Sequence, residues 1–153
     1  MDLASLLSPG LIFHDLQGAQ RDEVLRELTG RIAASGAIDQ GDILFQRILE
    51  REELGSTALG QGVAVPHCKL KGLRQPLLAV ALVPAGVEFG APDGEAVKVL
   101  FLLASPEREP VLHLQALAAI SKWVRSGGSY ERLAAADDSA ALFALLATQE
   151  IDS

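Results

Sequence analysis

The hydrophobic positions of this chain follow two different periods along its length. Two continuous apolar runs, Leu77 to Val83 and Val97 to Ala104, are each bounded by proline or glycine. The first run has no polar residue and the second has only Lys98, and runs of this kind are typical of interior strands that are covered on both faces. The short apolar-rich segment Leu11 to Leu16 predicts an edge strand, and the apolar segment Val63 to Val65 predicts a short strand.

Apolar residues recur with helical spacing in the segment before the central strands. Gly18 precedes a first helix that is expected to end near Gly36. Asp39 is expected to cap a second helix that stops near Gly55, because short polar side chains accept hydrogen bonds from the first free backbone N–H groups. The apolar positions expected to face the core on these two helices are Val24, Leu25, Leu28, Ile32, Ile43, Leu44, Ile48 and Leu49.

The C-terminal third of the chain is also helical in pattern. Pro110 opens a helix that ends at Gly127-Gly128, Tyr130 to Leu133 forms a short helical turn, and a last helix begins near Ser139. The inward positions predicted on the two longer helices are Leu114, Leu117, Ala118, Ile120, Leu142, Leu145 and Leu146. The alternation of strands and helices predicts one α/β domain over residues 1–153, a sandwich with a mixed β-sheet flanked by helices.

Composition and charge argue against several classes of function. The formal net charge of −7 argues against general nucleic-acid binding, which needs a basic face. No apolar stretch is long enough to span a bilayer, and the N-terminal residues lack the basic flank of a signal peptide. The single cysteine fits a reducing cytoplasm, where we expect the protein to reside. The three histidines and this cysteine have no zinc-site spacing, and no G-x-G-x-x-G opens a helix, so we expect neither a metal nor a nucleotide cofactor.

The candidate chemistry lies in one segment. The glycine-rich stretch Gly55 to Gly62 leads into Val63-Ala64-Val65-Pro66-His67-Cys68. Pro66 restricts the local backbone, and glycines leave backbone N–H groups open to an anion. Neutral histidine is common at cellular pH and is nucleophilic, so His67 is placed to accept and donate a phosphoryl group. From spacing alone, an ordinary surface or core histidine is the commoner outcome.

The segment from Glu52 to Cys68 resembles the active-site signature of enzyme IIA domains of the bacterial phosphotransferase system. The resemblance is to the fructose, mannitol and nitrogen-regulatory branch, and it rests on Glu52, the pair Leu59-Gly60, and the run Val63 to His67. It continues through nearly the whole chain. It implies the phosphotransferase/anion-transport type of sandwich and a phosphocarrier that takes its phosphoryl group from the histidine carrier protein HPr.

The same resemblance gives roles to two further residues. Arg51, sixteen residues before His67, matches an arginine of the family that would clamp phosphate with its planar donors. Without the resemblance, Arg51 is an exposed cation at a helix end. His113 matches a second histidine that lies beside the active one and supports the phosphoryl group; alone it would be a core or boundary histidine. His14 has no such match and is expected to be structural or exposed.

The remaining candidates are less specific. The hydroxyls of Ser56 and Thr57 are placed either to donate to phosphate oxygens or to serve as simple turn caps. Nothing in the sequence supplies Cys68 with a base, so it is not expected to be a nucleophile. The residues expected to form an apolar docking rim around the candidate histidine are Leu59, Leu70 and Leu73.

Three functional hypotheses follow. The domain is a phosphocarrier that passes the group from HPr to an enzyme IIB, or a regulatory module whose partner binding depends on phosphorylation, as in nitrogen-type members. A chain with no attached enzyme IIB fits the regulatory hypothesis slightly better. The third hypothesis is a degenerate domain of the anion-transporter kind, against which Arg51, His67 and His113 together argue. The sequence leaves open the reacting ring nitrogen, the oligomeric state, and the sugar or regulated partner.

Overall fold

A six-stranded mixed sheet forms the centre of the molecule. The computed structural model describes residues 1–149, so the last four residues of the predicted single domain lie outside the described part. The strand order is β1-β5-β6-β3-β2, and β4 also pairs with β6. The strands are β1 (Ile12–Phe13), β2 (Ala58–Gly60), β3 (Val63–Ala64), β4 (His67–Leu70), β5 (Leu77–Val87) and β6 (Val97–Pro106).

Helices cover both faces of this sheet. Among residues 1–149 the α-helices are α1 (Leu3–Leu6), α2 (Arg21–Ala34), α3 (Gly41–Glu53), α4 (Pro110–Arg125), α5 (Tyr130–Leu133) and α6 (Ser139–Gln149), and Pro9–Leu11 is a 3₁₀ turn. Within this described part, no helix has the length and apolar character needed to cross a membrane. The sequence predicted the positions of the four long helices closely, because most of their ends are marked by glycine or proline.

The two long apolar runs are the central strands, as predicted. β5 and β6 pair antiparallel in the middle of the sheet. Every residue of β6 except Lys98 is buried, and β5 is buried from Leu77 to Val83, because helices cover both faces there. Alternate residues of the two strands contribute to two separate apolar clusters, one on each face. The predicted α/β sandwich with a mixed sheet is therefore confirmed.

Each face of the sheet has its own set of helices. The cluster on one face includes Leu28 of α2 and Ile48 of α3. The cluster on the other face includes Leu3 of α1, Ile120 of α4 and Leu142 of α6. The side chains of a strand alternate between these faces, so the position of a residue along β4 decides which helices it meets.

The start and the buried face of α3 differ from the prediction. The helix begins at Gly41 and its N-cap is Gln40, whose side chain makes no capping bond, so Asp39 is not the cap. Ile43 was predicted to face the core but is 42% exposed. The helix is rotated so that a carboxylate in its last turn is buried. Its buried residues, spaced four apart as one helical stripe, are Leu44, Ile48 and Glu52.

The inward face of α4 is also rotated from the predicted one. Leu114 and Ala118 were expected to be inward but are exposed. Apolar residues occur on most sides of this helix, so their spacing alone did not determine which side faces the sheet. One consequence is that a histidine is buried against the sheet. The buried positions are His113, Ala116, Ala119, Ile120, Trp123 and Val124.

The strands around the candidate histidine are arranged differently from the prediction. β3 covers Val63–Ala64 only, and His67 is the first residue of β4 rather than a residue after a strand. Both β3 and β4 pair parallel with β6, so together they follow one edge of that strand with a break at Val65-Pro66. The predicted edge strand is present but short, since only Ile12–Phe13 pairs with β5.

Candidate functional site

His67 is held by its own backbone segment. Its Nδ1 lies 2.7 Å from the carbonyl oxygen of Val65. A carbonyl oxygen only accepts hydrogen bonds, so Nδ1 carries the proton and donates it. Nε2 is then left with a free lone pair. The break in the strand at Pro66 brings the Val65 carbonyl within reach of the ring, and this bond selects the tautomer that the sequence left open.

The protonation state of His67 follows from its surroundings. Burial lowers the pKa of His67 below its ordinary value, because the charged ring is poorly hydrated there. The bond to Val65 opposes this effect, the charge of Arg51 lowers the pKa further, and the charge of Glu52 raises it. The net shift is downward, so His67 is neutral at neutral pH and its Nε2 is able to act as a nucleophile.

His113 lies directly beside His67. The two ring centroids are 5.5 Å apart, with the ring planes tilted by 54°. His67 shares its register with Leu103, whose side chain belongs to the cluster on the α4 face, so the strand directs His67 toward α4. Nδ1 of His113 lies 2.7 Å from the hydroxyl oxygen of the buried Ser105. The structure thus brings together the two histidines that the sequence singled out.

The environment of His113 also disfavours its charged form. Burial lowers the pKa of His113 to about 4, and the charges of His67 and Lys69 act in the same direction. Because this ring is neutral, it places no positive charge next to the ring of His67. The partner Ser105 orients the ring, although a hydroxyl can either donate or accept and so does not fix the tautomer.

Arg51 lies in the last turn of α3, close enough to act on His67 through its charge. Its Nη1 donates a hydrogen bond of 2.9 Å to the carbonyl oxygen of Gly55. Among residues 1–149, no carboxylate lies within ion-pair distance of its guanidinium. The charge of Arg51 is one of the causes that lower the pKa of His67. Its remaining donors are therefore available to an anion near the ring.

A chain of hydrogen bonds links a buried carboxylate to His67. Glu52 is only 3% exposed, and it accepts bonds from the backbone N–H of Thr57 at 3.1 Å and from the Thr57 hydroxyl. The Thr57 carbonyl accepts from the N–H of Val65 at 3.0 Å, and the Val65 carbonyl accepts from His67. Sequence reasoning noted Glu52 only as part of the motif. Its position four residues after Ile48, on the buried stripe of α3, was the available signal for this role.

Hydrogen bonds to other parts of the protein hold the glycine-rich segment in place. The Ser56 hydroxyl donates to the carbonyl oxygen of Phe89 at 2.5 Å, and the Thr57 hydroxyl donates to Glu52. The N–H of Gln61, which has a positive φ of 58°, donates to the carboxylate of Asp93 at 2.9 Å. The role of Ser56 and Thr57 as phosphate donors stays a prediction, and it requires their internal bonds to be exchanged.

The apolar rim has a different composition from the one expected. Leu70 is buried, and Leu73 is half-buried and packs on the core, so of the three predicted residues only Leu59 is exposed. Because α4 turns His113 toward the sheet, the neighbouring residues Val111 and Leu114 lie on the exposed side of the helix. Together with Leu59, the exposed large apolar side chains close to the site in sequence are Leu54, Val111 and Leu114.

Two other candidates lie outside this arrangement. Cys68 faces the α2 and α3 side, and burial raises the pKa of its thiol to about 12, so it is not a thiolate nucleophile. His14 follows β1, which is separated from β4 by β5 and β6. Within residues 1–149, no three histidine, cysteine, aspartate or glutamate side chains converge in a way that would hold a metal ion.

Comparison with known proteins identifies the family of this chain. The family model described as "Phosphoenolpyruvate-dependent sugar phosphotransferase system, EIIA 2" matches residues 5–149. The chain is 33% identical over 144 residues to a nitrogen regulatory protein of Pseudomonas aeruginosa, covering 94% of each chain. It is also 33% identical over 147 residues to a nitrogen regulatory protein of Bradyrhizobium diazoefficiens, covering 96% of this chain and 95% of the relative.

A solved structure gives the same result for the fold. The nitrogen regulatory protein IIA-Ntr of Neisseria meningitidis superposes with a TM-score of 0.82 at 28% identity, covering 94% of this chain and 98% of that one. The resemblance seen in the Glu52 to Cys68 segment is thereby confirmed over nearly the whole chain. The chain belongs to the family of enzyme IIA domains of the phosphoenolpyruvate-dependent sugar phosphotransferase system.

Proposed function

We propose that this domain is a phosphocarrier in which Nε2 of His67 accepts a phosphoryl group from phospho-HPr and later passes it on. The observation that carries the proposal is the 2.7 Å bond from Nδ1 of His67 to the Val65 carbonyl. That bond leaves the lone pair on Nε2, and the lowered pKa of His67 keeps it unprotonated at neutral pH. The receiver of the group is an enzyme IIB or a regulated protein.

The transfer is a substitution at phosphorus between two imidazoles. The Nε2 lone pair of His67 forms the new P–N bond while the P–N bond to the donor histidine breaks. The electron pair of the broken bond returns to the donor's ring nitrogen. The ring of His67 then carries positive charge, and the Val65 carbonyl stabilises it through Nδ1–H. Catalysis is mainly a matter of position and charge, since phosphoryl transfer needs little covalent help from the protein.

Arg51 and His113 have supporting roles in this proposal. The guanidinium of Arg51 offers planar donors to the oxygens of the transferring group, where negative charge is spread. The ring of His113, with its centroid 5.5 Å from that of His67, is close enough to donate a hydrogen bond from Nε2 to the same group when its tautomer allows. The exposed residues that give the partner an apolar surface for docking are Leu54, Leu59, Val111 and Leu114.

The test is reconstitution of the transfer. The protein is incubated with enzyme I, HPr and phosphoenolpyruvate, and its intact mass is measured. We expect one phosphoryl group on the wild type and on His14→Ala, and none on His67→Ala. Circular dichroism verifies that both variants are folded. A folded His67→Ala protein that still gains the group, or a wild type that gains none, contradicts the proposal; the second result would favour the degenerate domain.

The second candidate is a regulatory module whose partner binding depends on phosphorylation. The observation that favours it is the match to proteins named nitrogen regulatory protein, which extends over at least 94% of this chain. A phosphoryl group on His67 would add up to about two negative charges among the exposed apolar residues. A partner that docks there would meet a charge that is costly unless it is paired.

Two measurements separate these candidates. Transfer of the labelled phosphoryl group from His67 to an enzyme IIB supports the carrier in sugar uptake. Partners captured from extract by the phosphorylated and unphosphorylated proteins are then compared, and a change in affinity supports regulation. Equal affinity of every captured partner for both forms removes the regulatory candidate.

A further inference from the structure

The second histidine of the site is hydrogen-bonded to a fully buried serine. Ser105 lies near the end of β6 with an exposed fraction of 0%, and its hydroxyl oxygen is 2.7 Å from Nδ1 of His113. A hydroxyl can donate or accept, so this distance alone leaves the direction of the bond open. The direction decides which ring nitrogen of His113 carries the proton, and therefore what the other nitrogen can offer to a ligand.

The burial of Ser105 indicates the direction of this bond. Among residues 1–149, His113 is the only hydrogen-bond partner of the Ser105 hydroxyl. If Nδ1 of His113 were the donor, the hydroxyl hydrogen would be buried without an acceptor, which costs the desolvation of that group. If the hydroxyl donates, its hydrogen has a partner and Nδ1 accepts through its lone pair. Only the second arrangement leaves no buried group unpaired, so Ser105 is the donor.

The other ring nitrogen of His113 is open to the site. Within the described part of the chain, Nε2 has no hydrogen-bond partner, although the residue is only 7% exposed. The buried side-chain nitrogen and oxygen atoms that lack a partner there are Nδ1 of His14 and Nε1 of Trp123. Nε2 of His113 is not one of these atoms, so it is accessible from outside. With the ring of His67 centred 5.5 Å away, a group bound to His67 is its nearest prospective acceptor.

We propose that Ser105 is a positioning residue that keeps His113 in its Nε2–H tautomer, so that Nε2 donates a hydrogen bond to an oxygen of the phosphoryl group on His67. The group itself rests on the proposed function, whereas the tautomer rests on the buried bond. The two rings are then complementary, because His67 carries its proton on Nδ1 and His113 carries it on Nε2. Burial lowers the pKa of His113 to about 4, so at neutral pH only one of its nitrogens is protonated.

The first measurement determines the tautomer without any phosphorylation. The protein is labelled with ¹⁵N at histidine, and long-range ¹H–¹⁵N spectra in slightly alkaline buffer show which ring nitrogen of His113 is protonated. We expect the proton on Nε2 in the wild type and a mixture of both tautomers in Ser105→Ala, which removes only the hydroxyl. Thr29→Val is the matched control. It removes a buried hydroxyl of α2 that bonds to the Leu25 carbonyl, and it should leave the His113 signals unchanged.

The second measurement is single-turnover phosphorylation by phospho-HPr. We expect Ser105→Ala to be about tenfold slower than the wild type, because the His113 ring is then neither oriented nor kept in the donor tautomer, and Thr29→Val to keep the wild-type rate. A wild type protonated on Nδ1 of His113, an unchanged tautomer in Ser105→Ala, or equal rates in the two variants would overturn the proposal. A wild type with the Nε2–H tautomer that accepts no phosphoryl group would contradict the proposed function and support the tautomer assignment.

Discussion

The imidazole rings of His67 and His113 lie with their centroids 5.5 Å apart, one on the sheet and the other on the helix that covers it. Each ring is buried enough that its pKa is lowered, and the charge of His67 lowers the pKa of His113 further. The pair is therefore neutral at neutral pH. These two neutral rings, with the charge of Arg51 acting on His67, are the basis of the proposal that His67 accepts a phosphoryl group.

Removing either supporting side chain is expected to slow transfer much more than it affects folding. Loss of one preorganised donor typically costs about two to three orders of magnitude in rate. We expect Arg51→Ala to be slower than His113→Ala, because the charge of arginine does not depend on pH. Single-turnover phosphorylation by phospho-HPr measures both, with Arg125→Ala as the control. Wild-type rates in both variants would remove these residues from the site.

Thr57→Val tests the chain of bonds from Glu52 to His67. The change removes one donor to a buried carboxylate, so we expect a loss of about 1–3 kcal/mol of stability. At a temperature where the variant is folded, the phosphorylation rate should fall about tenfold, because a small displacement of the His67 ring slows the transfer. Thr57→Ser keeps the hydroxyl and should restore both. A stability loss with an unchanged rate would mean that the bonds do not position His67.

The stability of the domain should fall in acid because of His113. Its pKa is about 4 in the folded protein against an ordinary value of 6.5. As pH falls from 6.5 toward 4, the unfolded chain binds a proton that the folded chain does not, and up to about 2 kcal/mol is lost once solvent screening is allowed for. Urea unfolding at several pH values should show a shallower decline for His113→Asn. Equal declines in the two proteins would contradict the burial argument.

The rate of phosphorylation should also decline in acid. Protonation of His67 removes the lone pair from Nε2, and burial places its pKa below the ordinary value of 6.5. We therefore expect a single-turnover rate that is constant around neutral pH and falls only at lower pH, with an apparent pKa below 6.5. Phospho-HPr is itself acid-labile, so each rate needs a matched decay measurement. An acid limb centred above the ordinary value would show that the ring is not shielded as described.

The sequence predicted most of the fold because glycine and proline residues mark the ends of most of its long elements. Continuous apolar runs identified β5 and β6, and Gly36, Pro110 and Gly127 bounded the long helices. Where a helix is apolar on several sides, the spacing of its apolar residues does not predict which side is buried. In α4, Leu114 was therefore predicted to face inward, but it is exposed. The short strands β2 and β4 were missed because they depend on pairing with strands elsewhere in the sheet.

The sequence named the residues of the candidate site but not their geometry. His67, His113 and Arg51 came from the motif and its resemblance to the family. The hydroxyls of Ser56 and Thr57 are engaged by Phe89 and Glu52, and no spacing along the chain reveals those hydrogen bonds. The tautomer of His67 follows from the break in the strand before it, whose three-dimensional course only the fold defines.

The most direct test of the proposed function is to identify the nitrogen atom that carries the phosphoryl group. Wild-type protein labelled with ¹⁵N at histidine is phosphorylated by enzyme I, HPr and phosphoenolpyruvate, and long-range ¹H–¹⁵N spectra identify the modified nitrogen. We expect a single phosphoryl group on Nε2 of His67, with Nδ1 still protonated and donating to the Val65 carbonyl. A group on Nδ1 of His67, on His113 or on any other residue would contradict it.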